Sequence, residues 1–416
     1  KIISTYGWKT GLYYLFFLDD TDFHYHPLTY LSYSIDYILF GMNATAIKAH
    51  NLLLHIYSGL LLFLFVHLLV KNKWVAFIVS LIFLVHPMNI ESIAWASCRR
   101  QSLFYSYFLL SLICYKVFLE KRFIKYNLGF YLLAVIFWIM STLSKASAIV
   151  IPGIFILLYL HENRNQFKLK KILLYILPTL PFIFIFIKLN EEANARNFLV
   201  RDFSYTNFEH LIFTGYTYSL YWAKGLFPYP LAYFYPAPSE QLLHLPIQYY
   251  VFFLTSCLFV FLLVYHYKNK QNTLFFALAF HTISISPMLN LIYYPLGDIP
   301  MLISNRYFYH TSSGIFLYLV LLLHHVIKNR PVKFMIATIY LIILISFFKI
   351  HIPVWQNEKK ILENNVKYYP SEEVLYQLAI YYEKMGDTRN AIIYLDKGDK
   401  LRTNIWINYP WSYYQI

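Results

Sequence analysis

Apolar runs of membrane-spanning length recur through the chain, and that recurrence limits its folds more than any other feature. They lie near 50–70, 74–86, 102–119, 127–143, 148–160, 172–188, 248–267, 273–291, 311–327 and 333–349. About 20 residues of helix cross a hydrocarbon core. A helix also satisfies its own backbone polar groups, as lipid demands. With 59% hydrophobic and 13% charged residues, a soluble domain could not hide these consecutive runs. The sequence therefore predicts an all-α, polytopic membrane helical bundle of ten spans over 1–349 and a separate segment over 350–416. The run at 74–86 is short, so its end belongs in a polar cavity rather than in lipid.

Short basic connections orient the spans. They occur at Lys71/Lys73, Lys121/Arg122/Lys125, Arg164/Lys168/Lys170/Lys171, Lys268/Lys270 and Lys328/Arg330/Lys333. The positive-inside rule places them in the cytoplasm. Connections 1–48, 87–100, 144–147, 189–247, 292–310 and 350–416 then face the periplasm, the cell exterior or the lumen of the endoplasmic reticulum. Making 208–226 a span would reverse every later loop, so it reads as an interfacial or re-entrant helix on the outer face. The net charge of +14 is spread over loops rather than one face, which argues against a nucleic-acid partner. Cys98, Cys114 and Cys257 form neither a disulfide framework nor a metal-type spacing. The chain opens at Lys1 on an outward loop with no apolar leader, and a preceding span is expected.

Chemistry collects at the outward ends. His86-Pro87-Met88-Asn89-Ile90-Glu91 is followed by Trp95 and Arg99-Arg100. An acid and paired bases at the mouth of membrane helices mark a functional site, against the plainer reading of arginines touching lipid headgroups. The first loop carries Asp19, Asp20, His24 and His26; Lys145 follows a helix; Arg306 and Tyr307 lie in a later outward loop. Carboxylates suit general-base work on an acceptor hydroxyl, which nominates Glu91, Asp19 and Asp20. Arginine and lysine suit a phosphate, which nominates Arg99, Arg100, Lys145 and Arg306. His26, His86 and Tyr307 are read as supporting groups. The plainer alternatives are a solvated turn for the aspartates and a snorkelling Lys145. His50 and His55 read as satisfied core groups. No cofactor motif appears; no metal is obligatory, and a divalent ion stays open.

Beyond 350 the pattern turns polar and amphipathic. Leu375, Leu378, Ala379, Tyr382, Gly386, Ala391, Leu395 and Gly398 follow tetratricopeptide spacing, with Gly386-Asp387 as the turn. One such unit cannot bury its own apolar face, so the tail either docks on the membrane domain or continues into further repeats.

Several segments together resemble the tetratricopeptide-repeat transmembrane glycosyltransferases. They are His26-Pro27-Leu28-Thr29-Tyr30-Leu31-Ser32 with Asp36-Tyr37, Phe40-Gly41-Met42-Asn43, His50-Asn51-Leu52-Leu53-Leu54-His55, His86 to Trp95, Leu143-Ser144-Lys145, Leu226-Phe227-Pro228 to Phe234-Tyr235-Pro236, and Asn305-Arg306-Tyr307-Phe308-Tyr309. The resemblance implies a fold of GT-C type and a lipid-phosphate sugar as donor. It also implies an acidic motif at the end of a first span, which would precede Lys1; Asp19 and Asp20 lie later in that loop. Gln101 stands where bacterial relatives often carry Asp, and Asn305 where relatives commonly carry Asp before Arg-Tyr.

The expected activity is transfer of a sugar from a polyprenyl-phosphate to a protein or glycan acceptor at the extracytoplasmic face, the tail helping to hold the acceptor. Membrane lipids are the other partner. Two alternatives differ in class: a non-catalytic scaffold anchored by its spans, and a transporter or flippase of lipid-linked sugar. Transport would favour charges at mid-membrane depth; here they gather at helix ends.

Overall fold

In a computed structural model, residues 25–120, 127–164, 179–184, 187, 207–236, 246–289 and 301–401 are described. The helices, in chain order, are α1 (Pro27–Phe40), α2 (Ala44–Val70), α3 (Lys73–Val85), α4 (Ile90–Ala94), α5 (Arg99–Glu120), α6 (Asn127–Ser144), α7 (Ile151–Asn163) and α8 (Asn207–Leu226). They continue as α9 (Ile247–Lys268), α10 (Asn272–Ile285), α11 (Asn305–Val326), α12 (Arg330–His351), α13 (Glu358–Tyr368), α14 (Glu372–Lys384) and α15 (Thr388–Leu401). The architecture is an all-α bundle. A two-stranded antiparallel ladder, β1 (Tyr235–Pro236) with β2 (Met301–Ile303), is its one sheet among the described residues.

Six helical segments among these are long and apolar enough to cross a membrane, and a seventh follows if α3 is joined to Pro87–Ala94 across a 53° bend. The ten-span count is therefore not matched helix for helix. The expected span 172–188 lies mostly outside the described residues. Helix α11 does run through the bundle, but Asn305, Arg306, His310, Ser312 and Ser313 make its sequence too polar to pass as a free-standing span. All of these but Arg306 are instead buried against neighbours.

Helix boundaries follow local chemistry. Asn43 caps α2 by accepting from the N–H groups of Thr45 and Ala46, and Asn72 caps α3 through Trp74 and Val75. Pro87 cannot continue α3, and the chain leaves it through the 3-10 turn Pro87–Asn89. Within the bundle, pairs α2/α3, α5/α6, α8/α9 and α10/α11 pack most extensively. At Gly314 a Cβ would sit 2.7 Å from the Ala277 carbonyl oxygen, so α10 and α11 touch through a bare backbone. Helix α8 packs along α9 and is tied to two connections. Thr214 near its start donates to the Leu289 carbonyl beyond α10, while the Gly225 carbonyl near its end meets His86 beyond α3.

The tail helices α14 and α15 form an antiparallel pair turned at Gly386, whose φ of +77° suits glycine. The tail docks on the bundle. Phe234 inserts among Leu362, Val374, Leu378 and Tyr382, and the Asn365 amide both accepts from the Phe234 N–H (3.0 Å) and donates to its carbonyl (3.1 Å).

Candidate functional site

Three connections converge at the end of the bundle that carries the tail: the segment 86–100, the turn at Lys145, and the start of α11. Glu91 sits on α4 and is 1% exposed. Its Oε1 lies 3.4 Å from Nη1 of Arg306. The Arg306 guanidinium lies 5.7 Å from the Trp95 ring centre and 5.4 Å from that of Tyr307. Lys145, also buried, donates to Oε1 of Gln101 at 2.9 Å and sits 4.9 Å above Tyr307. Tyr307 thus lies against both cations.

Charge in this cluster does not balance. Arg100 and Arg306 both act on Lys145 and, after burial itself, hold its ammonium well below the usual lysine range; Glu91 opposes them. Burial pushes the Glu91 carboxyl up to about 7, with Arg306 pulling against it. Both groups lie outside the six unbroken spanning segments. One carboxylate faces three bases. Oε2 of Glu91, Nε of Arg100 and Nε2 of Gln101 are buried with no hydrogen-bond partner among the described residues. Buried charge is costly unless paired, so the arrangement suits an added anion.

Arg99 does not join this cluster. It is fully buried and turned toward α1 and α2, with Nη2 2.5 Å from Oδ2 of Asp36 and Nε 2.9 Å from Oδ1 of Asn51. It also donates to the carbonyls of Ser32 and Ile47 and lies over Tyr33. The expectation that Arg99 binds a donor phosphate is therefore corrected: its donors are committed to the protein. Adjacent residues on a helix point about 100° apart, so a basic pair at the start of α5 cannot present both heads to one site. His50 is corrected too, since its Nδ1 meets Oδ1 of Asp36 at 2.8 Å on a partly exposed face. His55 is a satisfied core group between Tyr309 and the Leu84 carbonyl.

His86 is fully buried. Its Nδ1 accepts from the Met88 N–H, which leaves Nε2 to donate to the Gly225 carbonyl at 3.2 Å. It fixes the turn before Glu91 and tethers α8. His26 precedes α1 and its carbonyl accepts from Thr29 and Tyr30; Thr29 in turn bonds the Ser144 carbonyl beside Lys145. Asp19, Asp20 and His24 lie outside the described residues. Among the described residues no three His, Cys, Asp or Glu side chains gather as a metal site.

Beside Glu91 a cleft opens between bundle and tail, walled by Pro87, Tyr233, Asn305, Trp355 and Asn364. Asn305, flagged only by its departure from a family pattern, holds this wall: it accepts from Tyr235 and donates to the Ala232 carbonyl. Asp36 is the residue whose role sequence reasoning missed. It stands on α1 and Arg99 at the start of α5, so no local spacing joins them.

No protein-family model matches the chain, and no solved structure matches it. Over 98 residues it is 33% identical to the Protein O-mannosyl-transferase TMTC1 of Mus musculus. Over 98 residues it is 32% identical to the Protein O-mannosyl-transferase TMTC1 of Homo sapiens. The matched stretch is 23% of this chain and 10% and 11% of theirs, so the chain spans about a tenth of the length of the curated relatives it matches. This partial similarity points in the same direction as the motifs: a multi-pass membrane protein similar, over about a quarter of its length, to protein O-mannosyl-transferases.

Proposed function

We propose that this chain is a membrane glycosyltransferase that moves a sugar from a polyprenyl-phosphate donor to a hydroxyl on a protein or glycan at the extracytoplasmic face. The observation that carries the reading is the excess of cations, buried Lys145 with half-buried Arg100 and Arg306, around the single buried carboxylate of Glu91. The cations would bind the donor phosphate and take up the charge that grows on it as the bond to the anomeric carbon breaks. Glu91 would draw the proton from the acceptor hydroxyl on the opposite side, giving inversion. The partial likeness to protein O-mannosyl-transferases favours a protein acceptor and a mannosyl donor. Arg99 is reassigned to holding α1, α2 and α5 together. Against a transporter stands the placement of this cluster at helix ends beside a docked tail.

The test is transfer from a polyprenyl-phosphate sugar by purified protein. Glu91→Gln should fold normally and lose at least about a hundredfold in turnover, within the range of general-base catalysis. Arg100→Ala and Lys145→Ala should raise the donor requirement about ten- to hundredfold, since a charge-assisted hydrogen bond is worth about 1.5–3 kcal/mol. Folded Glu91→Gln with wild-type turnover, or wild-type donor use by both cation variants, would overturn the reading.

A further inference from the structure

The far end of the bundle holds a second cationic cavity that the proposed reaction does not use. It occupies about 140 Å³ between the end of α7, the end of α9 and the start of α10, lined by Leu160, His161, Arg164, Tyr267, Asn272 and Phe275. The acids nearby are already matched. Glu162 lies 2.5 Å from the Lys116 ammonium and 2.8 Å from Nδ1 of His161, and Glu120 is paired with Lys71 and Lys116. Arg164 has no acidic partner among the described residues. It donates to Oδ1 of Asn272 and to the Tyr267 carbonyl, and its guanidinium lies 4.5 Å over the Tyr267 ring. These bonds use two of the five N–H groups of a guanidinium and fix its plane, which leaves donors for an oxyanion.

The surroundings indicate where that oxyanion comes from. Helix α9 is barely covered by the rest of the bundle, and Phe261, Val264, Tyr265 and Tyr267 are exposed along its last turns. That surface is apolar below and aromatic at the helix end, the profile of a span facing lipid with its ring at headgroup level. Lys268 and Lys270 follow directly. A cavity with a cation at its floor thus opens beside a lipid-facing strip.

We propose that this cavity binds the phosphate of an anionic phospholipid from the leaflet at that end, with the acyl chains lying along the exposed side of α9. Basic pockets between helix ends recruit anionic headgroups by this combination of charge and shape. The site is separate from the Glu91 cluster, and its occupancy does not depend on the reaction assigned there.

Native mass spectrometry of the purified full chain with phosphatidylglycerol and phosphatidylcholine tests it. Wild type should retain phosphatidylglycerol preferentially, and Arg164→Gln should lower that preference by at least about tenfold. Leu160→Trp, which fills the cavity and leaves Arg164 in place, should have the same effect and serves if Arg164→Gln does not fold. Arg100→Ala should leave the preference unchanged. Glycerol phosphate at matched concentration should neither bind detectably nor protect against heating. The proposal is overturned by equal retention of the two lipids, by wild-type preference in Leu160→Trp, by loss of preference in Arg100→Ala alone, or by equal binding of glycerol phosphate, which would mark a soluble-phosphate site.

Discussion

Removing the Asp36 carboxylate tests whether Arg99 is a fastener. The two side chains are 4% and 0% exposed and 2.5 Å apart, so solvent screens the pair very little. Asp36→Leu would strand a guanidinium among neutral acceptors. Breaking one side of a buried pair costs about 3–5 kcal/mol. Arg99 keeps its bonds to Asn51, Ser32 and Ile47, which sets the expected loss near the lower end, about 3 kcal/mol. Adding Arg99→Met removes the stranded charge. The double variant should then recover to within about 1–2 kcal/mol of wild type, the remainder being the Asn51 oxygen left unpaired. Reversible unfolding in mixed detergent micelles, followed by tryptophan fluorescence, measures all three. A loss below about 1 kcal/mol for Asp36→Leu, or a double variant no better than the single, would refute the fastener. Unchanged stability with weakened donor use would return Arg99 to the site.

Three further outcomes are expected. A base must be ionised to accept a proton, so with the Glu91 carboxyl raised to about 7 by burial, transfer should increase with pH through that value. Arg306→Met removes the cation that pulls the value down, and the rising limb of the pH–rate profile should move to higher pH; a limb that stays in place removes Glu91 as its source. The same shift makes the carboxyl favour the folded state when protonated. Its contribution to stability is full below the ordinary carboxylate range and is lost as pH rises through about 7. In the tail, a Cβ on Gly398 would lie 2.6 Å from the Tyr376 ring. Gly398→Leu should cost about 1–3 kcal/mol by overpacking and expose the turn near Gly386 to limited proteolysis, while wild-type cleavage rates would show that the ring simply moves aside.

Much of the architecture is legible in the sequence because each apolar run must become a helix in lipid, and because Asn, Pro and Gly mark where helices start and stop. The paired tail helices are legible through the small residues at 379, 391 and 398, which set how closely the two can approach. The site is legible only to the level of the connection. That Glu91 and Arg306 meet follows from both opening onto the same end of the bundle. Which arginine of the Arg99-Arg100 pair faces Glu91 does not follow, since it depends on Asp36, an acid in a different helix that no local spacing ties to the pair. Docking of the tail is one of the two readings its unburied apolar face allows, but Phe234 gives no sign in sequence that it is the knob on which the tail closes.

The clasp of Asn365 on Phe234 has a consequence for how the two parts of this protein can change. A side-chain amide that bonds both the N–H and the carbonyl of one residue does what a neighbouring strand would do, yet it is delivered from a helix. It reads main chain, not side chain. Aspartate at 365 could accept but not donate, and glutamine would carry the same groups one methylene too far. Residue 234 can therefore drift among apolar shapes that still fill the hollow, while position 365 has no near substitute. The joint tolerates variation on one side and forbids it on the other, so a family of such chains could exchange residue 234 among apolar shapes as long as each tail kept the asparagine at 365.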